Sequence, residues 1–297
     1  MCFQNDFGVE LKYVLLILAS AFMHAFYNLL MLKAHGNRTF LTQMFLVAFL
    51  CSALFLLIFR EVHTVLLTDF LIIVGAAFFY VLYQVFVAKA YQFGNVSTNY
   101  PLTVMSPIFV PIWAALFLHE SPTITSIIGI LFTVLGAIVI KSDKLRQRSL
   151  SSFFTKSDAT KGAIYALSAS LIYSFGSILD KARIGSFSLP FYLFILLSAM
   201  TLGMVLYTLI FEKEPMFSKF KSQWSLVSIG GVAMFASFFF FRDALVHLPV
   251  SVAVPVRLMS IVFGLLFGYF ILKEKLTLFN WMGAFLIIFG IVLVVLK

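Results

Sequence analysis

Charged residues are scarce in this chain of 297 residues. Aspartate, glutamate, lysine and arginine together make up 11% of the sequence, whereas they make up about 25% of a soluble globular domain. Hydrophobic residues account for 62%, and the mean hydropathy is +1.05. These values exclude a soluble protein and indicate a chain that lies in a lipid bilayer, with no room for a second, soluble domain.

Cysteine is equally rare. Cys2 lies in the N-terminal tail and Cys51 lies inside an apolar run, which gives neither a disulfide framework nor a metal-ligand spacing. The 12 acidic residues and 5 histidines are mostly isolated at the ends of apolar runs, and no phosphate-binding glycine motif is present. We therefore expect no cofactor, no metal site and no catalytic residues, so that any energy comes from gradients or exchange.

Basic residues outnumber acidic residues by 21 to 12, which gives a formal net charge of +9. Such a charge can indicate nucleic-acid binding, but here the basic residues stand singly at the ends of apolar runs. This placement is typical of groups that flank membrane-spanning helices. We therefore expect the partners of the chain to be the lipid bilayer and a small molecule, and not nucleic acid.

The apolar runs lack the period-two alternation of barrel strands, so helices must satisfy the backbone hydrogen bonds. About 20 apolar residues cross about 30 Å of hydrocarbon as a helix. The first run begins near Lys12 without a small-residue cleavage site, which favours a retained helix over a signal peptide. The ten predicted transmembrane helices are Lys12–Leu32, Phe40–Phe59, Phe70–Phe93, Val96–Leu118, Thr123–Lys141, Gly162–Lys181, Leu189–Phe211, Ser225–His247, Val250–Leu272 and Leu278–Leu296.

The second half of the sequence repeats the first half. A shift of 154 positions brings the stretch Val87–Lys141 onto the stretch that begins at Phe241, without a gap. The identical pairs include Ala90 with Ala244, Pro101 with Pro255, Ser106 with Ser260, Glu120 with Glu274, Gly129 with Gly283, and Gly136 with Gly290. The glycines are expected to allow close helix packing, and each glutamate is expected to favour the N-terminal dipole of the helix that follows it.

Five helices are an odd number, so the second copy must cross the membrane in the opposite orientation. We therefore predict an all-α integral membrane protein of ten transmembrane helices, built as two inverted five-helix repeats. The repeats are residues 12–141 and 161–297, and residues 142–160 form a polar linker between them. This architecture is characteristic of secondary transporters, whose substrate site lies near the midplane between the halves.

Basic residues are unevenly distributed between the two membrane faces. Fourteen lie at helix ends and loops on the side of the linker, and six lie on the side of the two termini. The positive-inside rule then predicts a cytoplasmic linker and external termini. The expected location is the plasma or inner membrane, as a multi-pass protein.

Arg257 is the most informative polar residue, because it lies about seven residues, or roughly 10 Å, into the predicted ninth helix. An arginine at the centre of a membrane helix costs about 2.5 to 3.5 kcal/mol, so its side chain must face a partner or water. One interpretation is a guanidinium that binds a carboxylate or phosphate of the substrate. The other is a structural ion pair, with Asp180 or Asp243 as the partner.

Polar stripes on several helices complete the predicted site. His24 and Asn28 share a face of the first helix, where His24 is either a carrier of a coupling proton or an interhelical hydrogen-bond donor. Such stripes line a central cavity or join helices, and proline frees backbone carbonyl groups nearby. The predicted substrate-binding residues are Arg257, His24, Asn28, Tyr80, Gln84, Tyr100, Ser174, Ser106 and Ser260.

Two stretches repeat one motif, GNVSTNYPLTVMSPIFVPIWAALFLHES and LPVSVAVPVRLMSIVFGLLFGYFILKEK, and each is followed by a G-x6-G spacing. The chain resembles, over essentially its whole length, the EamA-type permeases of the drug/metabolite transporter superfamily. The resemblance implies ten helices and transport of a small molecule, often export of amino acids and related metabolites. In related sugar-phosphate translocators basic residues on the ninth helix bind the anionic substrate. Arg257 occupies that helix here, with Val256 in place of a second base.

The resemblance also implies cytoplasmic termini, opposite to the charge count, so the orientation stays open. We predict a secondary transporter that moves a small polar metabolite, best an amino acid or related carboxylate, by alternating access with proton coupling or exchange. An integral-membrane enzyme acting on lipid-linked substrates would need clustered His, Asp or Glu near one membrane face. An exporter of cationic or drug-like compounds is a further alternative. A membrane scaffold that transports nothing would leave the position of Arg257 inside a helix unexplained.

Overall fold

The computed structural model describes residues 3–33, 38–93, 99, 102–146, 157–212, 215–217 and 220–296. Helices make up nearly all of this part of the chain, which confirms the predicted all-α class. The helices are α1 (Phe3–Lys33), α2 (Arg38–Phe59), α3 (Leu67–Phe93), α4 (Ser106–Leu118), α5 (Ile124–Arg146), α6 (Ser157–Ile184), α7 (Leu189–Phe211), α8 (Phe220–His247), α9 (Val250–Arg257), α10 (Met259–Phe270) and α11 (Leu278–Val295).

Eight segments in the described ranges are long and apolar enough to cross a membrane, with Val250–Phe270 counted as one segment. The segments Ser106–Leu118 and Ile124–Ile140 are shorter apolar helices. Because lipid offers the backbone no hydrogen-bond partners, helices of this length and composition define a multi-pass membrane protein. The count of ten crossings stays a prediction.

The predicted ninth helix is not continuous. It divides at Leu258 into α9 and α10, and Leu258 N–H donates to Pro255 O rather than continuing the regular helical ladder. Pro255 lies inside α9 and has no N–H to donate. The predicted fourth helix is likewise interrupted: Leu102 and Thr103 are helical, the regular pattern breaks at Val104 and Met105, and α4 begins at Ser106. The predicted start at Val96 lies outside the described residues, as do all of residues 94–98, 100 and 101.

The chain forms two compact units. Unit 1 comprises Met1–Phe78 and Leu179–Leu248, and unit 2 comprises Phe79–Ile178 and Pro249–Lys297. The division falls inside α3 and inside α6, so each unit takes segments from both halves of the sequence. The linear division into two repeats and a linker therefore concerns the sequence, and it stays a prediction.

In unit 1, α1 packs against α8, and α2 packs against α7 and α8. Ser20 and Ser237 join α1 to α8 reciprocally: Ser20 Oγ donates to Ser237 O over 2.7 Å, and Ser237 Oγ donates to Ser20 O over 3.0 Å. The hydroxyl groups of Thr42 and Thr208 lie 2.7 Å apart between α2 and α7. All four side chains are buried, so short polar residues join these apolar helices in the way expected inside a membrane.

In unit 2, α5 and α11 pack along a glycine seam formed by Gly129, Gly136, Gly283 and Gly290. A Cβ atom on Gly129 would lie 2.6 Å from Gly290 O, and one on Gly136 would lie 2.6 Å from Gly283 O. Since rising numbers on α5 meet falling numbers on α11, the two helices run antiparallel. The structure confirms that these glycines allow close packing, because no side chain fits between the backbones.

Candidate functional site

Arg257 is the last residue of α9 and lies directly before the break at Leu258. Most of α9 is buried, but the Arg257 side chain is half-buried. Its Nη1 group donates to the Tyr173 hydroxyl of α6 over 3.3 Å, within unit 2. This hydrogen bond orients the guanidinium toward α6.

Two further tyrosine rings pack against the ring of Tyr173, whose hydroxyl Arg257 contacts. The ring of Tyr173 lies 5.4 Å from that of Tyr80 and 5.2 Å from that of Tyr83, between centroids. Tyr80 and Tyr83 belong to α3, and Gly176 of α6 allows the close approach, since a Cβ there would lie 3.2 Å from Phe79 Cβ. The structure therefore brings two predicted residues, Arg257 and Tyr80, to one cluster. The cluster also contains Tyr173 and Tyr83, which the sequence did not single out.

Ser174 takes part in a separate contact of the same unit. Its Oγ donates to Leu171 O over 2.6 Å and accepts from Trp113 Nε1 over 3.1 Å. Trp113 of α4 also stacks on Phe175, with centroids 4.8 Å apart. Ser174 is buried and fixes the orientation of the Trp113 indole. The sequence did not single out Trp113, because it lies in an apolar run where aromatic residues usually serve only for packing.

His24 and Asn28 lie in unit 1. The Tyr27 hydroxyl is 2.6 Å from His24 Nδ1, and Asn28 Nδ2 donates to His24 O over 2.8 Å. The amide of Asn28 thus satisfies the backbone of its own helix. Ser20, four positions before His24 on α1, joins α1 to α8 through Ser237.

The remaining predicted residues are spread over several helices. Gln84 is half-buried on α3, Ser106 is buried as the first residue of α4, and Ser260 is half-buried on α10. Tyr100 lies outside the described residues. The substrate-binding role of all nine predicted residues stays a prediction.

Asp180 of α6 and Arg242 of α8 form a buried ion pair in unit 1 that sequence reasoning missed. Arg242 Nη2 lies 2.7 Å from Asp180 Oδ2, and Tyr192 Oη donates to Asp180 Oδ1 over 2.6 Å. The guanidinium carbon is 4.6 Å from the centroid of the Phe238 ring. Asp180, which the sequence offered as a partner for Arg257, has Arg242 and Tyr192 as its partners. The available signal was the position of Arg242 inside the predicted eighth helix, Ser225–His247.

Glu120 binds a different helix from the one expected. Its carboxylate accepts hydrogen bonds from Val250 N (2.9 Å), Ser251 N (3.1 Å) and Ser251 Oγ (2.6 Å), so it caps the N-terminus of α9. The expectation that it serves the following helix was wrong, because Thr123 takes that place: Ser126 N–H donates to Thr123 Oγ1 over 3.2 Å at the start of α5.

Two other features offer no polar ligand site. Among the described residues, no group of three or more His, Cys, Asp or Glu side chains is placed to hold a metal ion. A cavity of about 300 Å³ in unit 2 is lined by apolar side chains alone, among them Pro107, Pro111 and Ile130. The charged and hydroxyl groups at Arg257 and Tyr173 are therefore the better candidate for contact with a polar compound.

The chain consists of long apolar helices with a few polar contacts among them. This combination defines a class of protein, the multi-pass membrane proteins with polar groups inside their spans. The sequence profile of the EamA-like transporter family matches residues 11–142 and again residues 160–296. The chain therefore belongs to the EamA-like transporter family, and it is an EamA-type permease of the drug/metabolite transporter superfamily. The predicted resemblance is confirmed.

Solved structures share the fold. One, described only as a crystal structure of a protein, has a TM-score of 0.76 and 14% sequence identity, and the match covers 95% of this chain and 96% of that one. At this identity the likeness concerns the fold alone. No curated protein sequence matches the chain. The family assignment makes the chain a membrane transporter of the drug/metabolite type.

Proposed function

We propose that this permease moves a small polar metabolite that carries a carboxylate, such as an amino acid, across the plasma or inner membrane by alternating access. One observation carries the proposal: the Arg257 guanidinium lies within a candidate membrane-spanning segment and donates a hydrogen bond to the Tyr173 hydroxyl. A positive charge at this depth costs about 2.5 to 3.5 kcal/mol on insertion scales. Contact with an anionic substrate would offset that cost.

The chemistry of the guanidinium fits a carboxylate. Its planar fork presents parallel N–H groups that match two carboxylate oxygens, and such charge-assisted bonds are about twice as strong as neutral ones. Tyr173 supplies a hydroxyl group to the guanidinium, and the rings of Tyr80 and Tyr83 pack against the ring of Tyr173. The break at Leu258 also interrupts the helical ladder, as in the discontinuous helices that form transporter sites.

An inverted repeat is the architecture that we propose for this transport cycle. Equivalent helices of an inverted repeat must run antiparallel, and α5 and α11, which are 154 positions apart, do so along the glycine seam. The helix ends that precede them are alike as well: His119 and Lys273 have φ values of 56° and 59°, and the N–H groups of Glu120 and Glu274 donate to Ala114 O and Gly268 O. These pairs support the duplication at the level of the backbone.

The experiment that tests the substrate class is thermal unfolding of the detergent-purified protein with amino acids, organic acids, sugar phosphates, nucleotides and cations. A ligand present at 100 times its Kd stabilises the folded state by about 2.7 kcal/mol. We expect carboxylates to raise the Tm of the wild type and of Arg60→Gln, which alters an exposed arginine, but not of Arg257→Gln. A response to cations or neutral compounds alone, equal in all three proteins, would make Arg257 structural and favour export of cationic or drug-like compounds.

Uptake into proteoliposomes then separates a transporter from a membrane enzyme. The stabilising compound should accumulate inside the vesicles chemically unchanged, as mass spectrometry of the vesicle contents can show. Conversion of the compound, or of added lipid-linked substrates, would favour the enzyme instead.

A further inference from the structure

The short helix α9 has a carboxylate at one end and Arg257 at the other. The helix has eight residues, so at a rise of 1.5 Å per residue its last residue, Arg257, lies about 10 Å along the axis from its first residue, Val250. Glu120 binds the first turn through both of its oxygens, with Oε1 accepting from Val250 N and Oε2 accepting from Ser251 N and Ser251 Oγ. The Glu120 contact and Arg257 thus lie at opposite ends of one short helix of unit 2.

Little else in the backbone fixes α9. A helix of this length is marginal by itself, Pro255 removes one internal donor, and at Leu258 the hydrogen bonds shift to the tighter i to i−3 pattern, from Leu258 N to Pro255 O and from Ile261 N to Leu258 O. Burial of Val250, Ala253 and Val256 holds the helix in place laterally. Apolar contacts are not directional. At the start of the helix the directional restraints are the backbone hydrogen bonds from Val252 N and Ala253 N to Pro249 O and the charged cap from Glu120.

The chemistry of the contact requires an acceptor with two oxygens. Three donors converge on Glu120, and a carboxylate accepts all three while its negative charge favours the N-terminal end of the helix dipole. A glutamine in its place would keep one oxygen and present an N–H₂ group to donors. The substitution Glu120→Gln therefore tests the charge and the second acceptor at almost constant volume.

We propose that Glu120 is a positioning residue for Arg257: by capping α9 it sets where the guanidinium lies relative to Tyr173. The proposal rests on the proposed role of Arg257 in substrate binding and adds the residue that orients it. Glu120 acts through α9 and not by contact with the substrate.

Hydrogen–deuterium exchange tests the restraint without any ligand. In Glu120→Gln we expect the amides of α9 to exchange roughly tenfold faster, on the order expected for one lost charge-assisted hydrogen bond. Ser251→Ala, which removes one of three donors, should give a smaller rise. Exchange in α11 should not change, which excludes general unfolding of unit 2. Unaltered exchange of α9 in Glu120→Gln overturns the proposal.

The matched control is Glu274→Gln. Glu274 occupies the equivalent turn after α10. The residue before it, Lys273, has the same left-handed backbone conformation as His119, and the Glu274 side chain is exposed. Exchange of α9 should be the same in this variant as in the wild type. If the exchange rate of α9 rose equally in both variants, the loss of either carboxylate would have the same effect. That result would overturn the specific role of Glu120.

The second readout follows Arg257 itself. Phenylglyoxal modifies accessible guanidinium groups, and peptide mass spectrometry gives the rate at Arg257 relative to that at exposed Arg60. We expect this ratio to change several-fold in Glu120→Gln and to stay at the wild-type value in Glu274→Gln. A ratio unchanged by Glu120→Gln would show that the cap does not set the guanidinium, even if α9 exchanges faster.

Neither readout needs a substrate, so the two proposals can fail separately. If no carboxylate stabilises the wild type while exchange and labelling change as expected, the substrate class is wrong and the positioning role stands. If a carboxylate binds through Arg257 and exchange and labelling do not change, the substrate class stands and the positioning role is wrong.

Discussion

Asp180 and Arg242 are bound to each other in the interior of unit 1, with 2.7 Å between Oδ2 and Nη2 and with both side chains at most 2% exposed. Tyr192 donates to the other carboxylate oxygen, so the acid accepts from a cation and from a phenol at once. A charge pair of this kind is retained at a large desolvation cost, and removal of one partner leaves the other buried and uncompensated.

Substitution of one member of this pair should destabilise the protein strongly. We expect Asp180→Asn to cost about 3 to 5 kcal/mol of unfolding free energy, because Arg242 would keep its charge in an apolar interior. The double variant Asp180→Leu with Arg242→Met should cost much less, since no charge remains. Thermal unfolding in detergent measures both, and equal losses in the single and double variants would contradict the assignment.

The more exposed pair of unit 1 provides the control. Arg183 Nε lies 2.9 Å from Asp69 Oδ1, with side chains 36% and 19% exposed. Solvent and headgroups screen such a pair, so Asp69→Asn should cost at most about 1 kcal/mol. A loss as large as that of Asp180→Asn would mean that burial does not explain the difference.

The glycine seam predicts a stability loss from a single methyl group. In Gly136→Ala the new Cβ would lie 2.6 Å from Gly283 O and 2.8 Å from Ile287 N. Backbone atoms cannot move aside alone, so we expect a loss of about 1 to 3 kcal/mol from overpacking. Gly264→Ala is the control, because in the described part of the chain nothing beyond the backbone of its own helix lies within 4 Å of its Cβ position. Its Tm should be unchanged or slightly higher, and a similar fall in both would remove the seam as the cause.

The sequence predicted the helices and these glycines because both depend on local pattern. Lipid demands long apolar helices with satisfied backbones, and small residues at helical spacing leave room for a neighbouring backbone. The break at Leu258 was not predicted, because the apolar run continues through it. A proline inside such a run does not by itself predict whether the helix bends or divides into two helices.

Contacts between distant positions explain what the sequence did not predict at the site. Asp180 and Arg242 are 62 positions apart, and Glu120 and Val250 are 130 apart. A single sequence gives the chemistry of each residue but not which helices pack together, so the partners of Arg257 and Asp180 were assigned by type alone. Arg257 was singled out from the sequence because a cation well inside a predicted membrane span is costly, and its role in substrate binding stays a prediction.

His24 is the residue whose variant tests proton coupling. Imidazole changes its charge between about pH 5 and pH 8, and His24 Nδ1 lies 2.6 Å from the Tyr27 hydroxyl. If His24 carries the coupled proton, uptake by His24→Gln should lose its dependence on external pH in this range, whereas Tyr27→Phe should keep it. The same pH profile in His24→Gln and the wild type would reduce His24 to a hydrogen-bond partner of Tyr27.

Arg257→Lys tests the geometry of the proposed anion contact rather than its charge. Lysine keeps the positive charge but has no planar fork, so it cannot donate two parallel hydrogen bonds to one carboxylate. Loss of one charged hydrogen bond, about 1.5 to 3 kcal/mol, should weaken carboxylate binding by roughly 10- to 150-fold. Titration by thermal shift or calorimetry measures the affinity, and wild-type affinity in Arg257→Lys would exclude bidentate recognition.

The glycine seam has the form of a two-fold symmetric dimer interface. Gly129 meets Gly290 and Gly136 meets Gly283, and the shift of 154 positions exchanges one pair for the other. The same surface is therefore used on both sides, as in an isologous contact between identical subunits. A polypeptide with a single copy of α5 would already possess both halves of this interface, so two such chains could associate through it before any linker joined them.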